Sequence, residues 1–279
     1  MDKDTIKRLI IEYQQFVANI TLIEREIHLS HQLNYVFVGL RRAGKSYLMY
    51  QQIQSLLNDG HQPEEILYFN FEDDRLVNLT VEDLDLIKVS YEELYPHKPI
   101  FFLDEIQIVE HWEKFARRLA DQQYRVYITG SNAKMLSAEI ATTLGGRYIV
   151  QNVYPFSFSE FLKASKIEIG PTWYYKNRTE IVRTFSDYFS YGGLPELMLI
   201  ETIEKRQWLS NLFNKIFFGD LITRYSIRND LAMKVLIRKL AESVKQPSSF
   251  NRLTNIVSTT GAKVSTDTII DYLNFLQAT

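Results

Sequence analysis

The chain has 279 residues, with Lys+Arg 32 against Asp+Glu 34, five His and no Cys. A hydrophobic share of 46% and a charged share of 24% exclude global disorder, and this length allows about two domains with sizeable cores. The net charge of -2 excludes a uniformly basic nucleic-acid coat but not a local basic patch, while the absence of Cys excludes disulfides, Cys-ligated zinc, iron–sulfur clusters and thiol catalysis.

The first residues, MDKDTIKRLIIEYQQ, mix charge with apolar groups, unlike a signal peptide. Apolar residues at Ile6, Leu9, Ile10, Tyr13, Phe16, Val17 and Ile20 predict an amphipathic helix over 4–20. Buried strands follow at 35–38, 66–69, 100–103, 125–128 and 148–150, with helical stretches at 45–58, 83–94, 111–122 and 133–144. This alternation predicts an α/β fold, a parallel five-stranded sheet flanked by helices. Ser157 opens a further helix with capping chemistry, and residues 178–225 read as mostly helical, interrupted at Gly192-Gly193-Leu194-Pro195. Helices at 230–245, 250–259 and 266–277 complete the chain, the last two forming a helix-turn-helix pattern with Ser265 or Thr266 as N-cap. No apolar run approaches the roughly 20 residues of a membrane helix, so a cytoplasmic protein without membrane contact is expected.

Gly39-Leu40-Arg41-Arg42-Ala43-Gly44-Lys45-Ser46 fits G-x-x-x-x-G-K-[ST], with a strand before it and a helix after it. In that setting Gly39, Arg41, Arg42, Ala43, Gly44, Lys45, Ser46 and Tyr47 would surround a polyphosphate, aided by the helix N-terminus. Lys45 would reach the β- and γ-phosphates, and the Ser46 hydroxyl would ligate Mg2+. The strand 100–103 ends in Asp104-Glu105. Ligands bind beyond the carboxyl ends of such strands, so Asp104 would hold the metal and Glu105 would activate water. Ser131 or Asn132, after the fourth strand, would hydrogen-bond the γ-phosphate or the attacking water; helix capping is the alternative.

Together with Tyr-Phe-Asn-Phe-Glu-Asp-Asp-Arg-Leu (68–76), Leu-Asp-Glu-Ile-Gln (103–107), Thr-Gly-Ser-Asn (129–132), Leu-Gly-Gly-Arg-Tyr (144–148), Tyr-Pro-Phe-Ser-Phe-Ser-Glu-Phe (154–161), Gly-Gly-Leu-Pro-Glu (192–196) and Asp-Leu-Ile-Thr-Arg-Tyr (220–225), these motifs resemble an AAA+ P-loop ATPase. More narrowly, the chain resembles the prokaryotic, archaeal-type, STAND-related branch. The resemblance implies ATP and Mg2+ as cofactors and a P-loop NTPase core followed by a helical lid and a winged-helix or helix-turn-helix segment. It implies a γ-phosphate sensor at Ser131 or Asn132, and Asn70 as the residue that restrains the catalytic glutamate. It also places Pro195 near the adenine. Arg147 is a candidate arginine finger acting on a neighbouring copy, or a phosphate sensor; a strand-edge surface charge is the alternative. Arg224 is a second such candidate. Members usually continue into a C-terminal domain resembling restriction-endonuclease folds, whereas this sequence stops at Gln277-Ala278-Thr279.

The expected domains are an ATPase core over 1–155, a lid over 156–228 and the helix-turn-helix segment over 229–279. From Leu231 onward six Lys and Arg stand against three Asp and Glu, a net +3 that suits phosphate-backbone contact. The last helix carries Asp267 and Asp271 and no Lys or Arg, which argues against base readout, so a DNA partner stays open beside a protein partner and self-association. A nucleotide-driven switch is the leading function. A non-hydrolysing ATP-binding regulator and a P-loop kinase are the alternatives. No Asn-Lys-x-Asp run for guanine is present, which favours ATP.

Overall fold

The computed structural model describes residues 2–76, 78–131, 142–167, 170–244, 246, 248–261 and 264–278. Five strands, β1 (Asn34–Gly39), β2 (Ile66–Asn70), β3 (Ile100–Asp104), β4 (Arg125–Ser131) and β5 (Tyr148–Asn152), form one sheet in the order β2-β3-β4-β1-β5. Every pairing is parallel, with Gly39 opposite Ser131 and Asn70 opposite Asp104. The C-terminal ends of β1 to β4 therefore share one edge. The aromatic and β-branched runs suit strands that helices cover on both sides.

Side-chain alternation assigns the two faces. Val36, Val38, Leu67, Phe69, Phe101 and Leu103 point to a core shared with Ile6, Leu9 and Ile10 of α1 (Lys3–Asn19) and with α3 (Val81–Leu94) and α4 (Trp112–Asp121). Tyr35, Phe37, Tyr68, Phe102 and Tyr127 point the other way, onto Leu48, Met49 and Ile53 of α2 (Lys45–Asn58). The rings of Phe102 and Tyr127 stack at 4.5 Å on that face. Offset ring pairs of this kind add to the area they bury.

Beyond β5 come α5 (Phe158–Ala164), α6 (Trp173–Lys176) and α7 (Arg178–Tyr191). The Ser157 capping box is present: Ser157 Oγ accepts the Glu160 N–H at 3.1 Å and Glu160 Oε2 accepts the Ser157 N–H at 2.8 Å. The chain divides into two compact units, Met1–Glu201 and Thr202–Thr279. The reason lies in the packing. Leu162 of α5 and Ile181 of α7 share a core in the first unit. Phe217 and Leu221, from the π-helical stretch Ile216–Thr223 that continues α8 (Thr202–Lys215), join the core of the following helices.

Those helices are α9 (Asp230–Glu242), α10 (Phe250–Thr259) and α11 (Thr266–Ala278), started by side-chain caps at Asn229, Ser249 and Ser265. Met233, Leu236, Leu253, Val257, Ile269 and Tyr272 fill their core. Among the described residues no strand follows β5. The helix expected at 133–144 falls mostly outside the described residues; 142–144 are helical. Among the described residues no helix is long and apolar enough to cross a membrane.

Candidate functional site

The loop between β1 and α2 turns through Ala43, whose N–H donates to the Leu40 carbonyl at 3.1 Å. Gly39 is required by close approach, because a Cβ there would lie 2.1 Å from the Val153 carbonyl oxygen. Gly44 caps α2 with φ 96°, in the left-handed region that side chains avoid. Among the described residues no side chain caps α2 at Gly44, and the macrodipole at such a helix N-terminus favours an anion.

Lys45 is 5% exposed and bends back over the loop, its Nζ donating to the carbonyls of Gly39 at 3.0 Å and Leu40 at 3.3 Å. Glu105 Oε1 lies 3.9 Å from the same nitrogen. Burial pushes the Lys45 ammonium below its ordinary pKa, and the carboxylates of Glu105 and Asp104 oppose that shift. Burial likewise pushes the Glu105 carboxyl up, against the pull of Lys45. Both shifts express a dry site in which charge is held only by its partners.

A chain of hydroxyls organises the acidic pair. Asp104 ends β3 and is 2% exposed. Tyr68 Oη on β2 donates to its Oδ2 at 2.6 Å, and Tyr50 on α2 meets Tyr68 Oη at 3.1 Å. Thr129 on β4 donates to Asp104 Oδ1 and accepts the Glu105 N–H at 2.8 Å. Burial and the Asp104 charge hold the Tyr68 phenol well above its ordinary pKa, so it remains a donor. Glu105 itself adopts φ 57°, ψ 36°, a left-handed conformation that is uncommon for a non-glycine residue and concentrated at functional sites. Its Oε2 accepts a bond from Gln107 Nε2.

These residues fit a hydrated divalent cation. Asp104 presents a carboxylate oriented by two hydroxyls, with acceptor capacity remaining on each oxygen, and Ser46 adds a hydroxyl in the first turn of α2. Among the described residues no group of three or more His, Cys, Asp or Glu could hold a metal alone. A cation here would share its coordination with ligand oxygens.

The site is gripped from outside by two later segments. Pro195 Cγ would lie 3.8 Å from a Cβ on Gly44, so Pro195 sits at the start of α2, and Glu196 pairs with Arg42. Arg41 Nη1 faces Glu72 at 3.9 Å, and Tyr47 is exposed, with its ring 5.4 Å from that of Tyr50. Ala43 is fully buried.

Other sequence-predicted residues fall elsewhere. Asn70 Oδ1 accepts the Glu72 N–H at 2.9 Å, and the Glu105 side chain accepts from Gln107 Nε2. Arg147 precedes β5, where Tyr148 lies opposite Asn34 at the start of β1, and its Nε pairs with Asp121 at 2.5 Å. It therefore lies at the far end of the parallel strands from Gly39. Arg224 pairs with Asp220 at 3.2 Å in the C-terminal unit. Asn132 lies outside the described residues; Ser131 ends β4, and its side chain is likewise outside them. Sequence reasoning missed Tyr50, Tyr68 and Gln107, and left Thr129 without a role.

Residues 182–279 match a domain of unknown function. An uncharacterized protein of Methanocaldococcus jannaschii is 32% identical over 277 residues, covering 98% of this chain and 61% of that protein. An uncharacterized protein of Haemophilus influenzae is 32% identical over 268 residues, covering 92% of this chain and 64% of that protein. The chain thus spans less than two thirds of the length of these curated relatives. Among solved structures, AMPPCP-bound DnaA from Aquifex aeolicus aligns over 97% of this chain and 87% of its own at 14% identity and a TM-score of 0.36, too slight a likeness to carry an argument. Residues 31–162, which hold the loop, the acidic pair and Thr129, match an AAA domain in sequence and carry the parallel five-stranded sheet.

Proposed function

We propose that this chain binds ATP with Mg2+ and hydrolyses it by attack of water on the γ-phosphate. The observation that carries the reading is the meeting of Lys45, Asp104, Thr129 and Glu105 at one sheet edge, beside the uncapped N-terminus of α2. On this reading Lys45 exchanges its bonds to the Gly39 and Leu40 carbonyls for phosphate oxygens. Ser46 and Asp104 would hold Mg2+, which would supply charge neutralisation. Glu105 takes the proton of the attacking water, a task that its raised pKa suits. Ser131 or Asn132 senses the γ-phosphate.

Pro195 and Glu196 lie against the loop, so nucleotide binding there would be felt by the segment leading out of α7. We assign to that segment the role of a lid, with the C-terminal helices as the output toward a partner protein or DNA. Arg147 of a second copy is the proposed finger, worth about 10³–10⁵ in rate in such enzymes.

The test is Mg2+-dependent ATP turnover across a protein-concentration series, for wild type and Glu105→Gln. Turnover per molecule that rises with concentration and vanishes in the variant supports an assembly-dependent ATPase. Turnover that persists in Glu105→Gln removes Glu105 as base. A second reading, a nucleotide-holding regulator, is favoured by the engagement of Glu105 by both Lys45 and Gln107. Tight ATP binding with no turnover at any concentration would select it.

A further inference from the structure

Arg25 lies on the extended segment between α1 and β1, where no motif marks it, and is 6% exposed. Its backbone is clamped by Gln51, whose Oε1 accepts the Arg25 N–H at 2.7 Å and whose Nε2 donates to the Arg25 carbonyl at 3.1 Å. Its guanidinium serves three segments at once. Nε donates to Glu160 Oε1 at 2.8 Å, Nη2 to the Tyr154 carbonyl at 2.7 Å, and Nη1 to the Ala43 carbonyl at 3.0 Å. The Phe156 ring lies 5.1 Å below it. Glu160 is fixed in turn by the Ser157 N–H at 2.8 Å and the Glu26 N–H at 2.9 Å.

Pairing with Glu160 accounts for burying the charge. The bond to Ala43 is a separate feature, because that carbonyl belongs to the peptide joining Ala43 to Gly44 within the phosphate loop. The described chain contains no cis peptide, so the C=O and N–H of this unit point in opposite directions. Holding the carbonyl toward Arg25 turns the Gly44 N–H away from Arg25, to the side where the loop would receive an anion. Gly44 is a glycine with φ 96°, free to rotate unless something fixes the adjoining peptide. We propose that Arg25 is a positioning residue for phosphate binding, locking the Ala43–Gly44 peptide so that the Gly44 N–H faces the phosphates. The assignment rests on the ATP reading. It adds that loop order is imposed by a guanidinium 18 residues upstream of Ala43.

The experiment measures affinities for ATP and for tripolyphosphate, which carries phosphates alone, by calorimetry. Wild type, Arg25→Gln, Arg25→Lys and Glu160→Gln are compared, each with a melting curve. Arg25→Gln should weaken both ligands by the same factor, about tenfold or more, as loss of one charge-assisted hydrogen bond implies. Arg25→Lys keeps a cation beside Glu160 and should melt nearer to wild type, yet lose comparable affinity, because an ammonium cannot serve three acceptors in a planar fork. Glu160→Gln leaves the Ala43 bond in place and should lower the melting temperature while holding both affinities within about twofold. A folded Arg25 variant that binds both ligands as tightly as wild type overturns the assignment. So does a loss of affinity in Glu160→Gln equal to that in Arg25→Gln, since Arg25 would then act only through the fold. A wild type that binds neither ligand removes the ATP reading itself, and this assignment with it.

Discussion

Thr129→Val is the most informative single change at the acidic pair. It keeps the shape of a fully buried side chain and removes one hydroxyl. That hydroxyl donates to Asp104 and accepts from the Glu105 N–H, so the substitution takes a donor from a buried carboxylate and an acceptor from a residue held in the left-handed region. A hydrogen bond to a charged group contributes about 1.5–3 kcal/mol, and the unpaired Glu105 N–H adds a share of about 1 kcal/mol, reduced because it is only part-buried. The loss should be about 2–3 kcal/mol. For a unit of roughly 200 residues that lowers the melting temperature by roughly 4–12 °C. Turnover should fall further than stability alone requires, because Glu105 loses the bond that holds its backbone in place. Thermal melts and steady-state turnover at 25 °C, with Thr129→Ser as the rescue, measure both. Thr129→Ser should recover most of each loss. A Thr129→Val chain that melts within a degree of wild type and turns over at the same rate would refute the claim that this hydroxyl organises the pair.

Lys45→Ala should abolish ATP binding measured by calorimetry, and retained tight binding would displace the phosphates from this loop. Glu105 must be deprotonated to act as base, so turnover should be lost as pH falls through its raised pKa; Gln107→Leu removes a donor that favours the charged form and should move that acid limb to higher pH in a kcat profile. An unmoved limb would leave Gln107 without influence on Glu105. Arg147→Ala should leave ATP binding intact and lower turnover only at protein concentrations where copies associate, and an equal loss at high dilution would contradict action between copies.

Some of this was legible in the sequence and some was not, for physical reasons. The phosphate loop and Asp104-Glu105 are local, since each needs only a short apolar run ending in particular residues. The strands β1 to β4 were legible because both faces are covered, which makes their apolar runs continuous, whereas β5 exposes Ile149 and Val150 and was marked only by its residue types. Tyr68 and Thr129 matter only through register: Tyr68 meets a carboxylate 36 positions away, and Thr129 one 25 positions away. Arg25 finds its anion 135 positions along the chain. The bond from Gln107 to a left-handed Glu105 was not legible, because that backbone conformation has no marker in residue type. Division at 201/202 follows from which helices share a core, and periodicity shows that a helix has an apolar face without naming the neighbour that covers it.

The strand order has a mechanical consequence. β4 lies between the loop strand β1 and the acidic strand β3. The two are therefore held about two strand spacings apart, roughly 10 Å, by ladders of backbone bonds. Lys45 and Glu105 nevertheless approach to 3.9 Å by reaching over β4. The sheet acts as a rigid caliper, and the two side chains are its movable tips. A phosphate and a water seated above β4 would part the tips while the jaws stay set, so opening the cleft would require rotation about side-chain bonds and no deformation of the sheet.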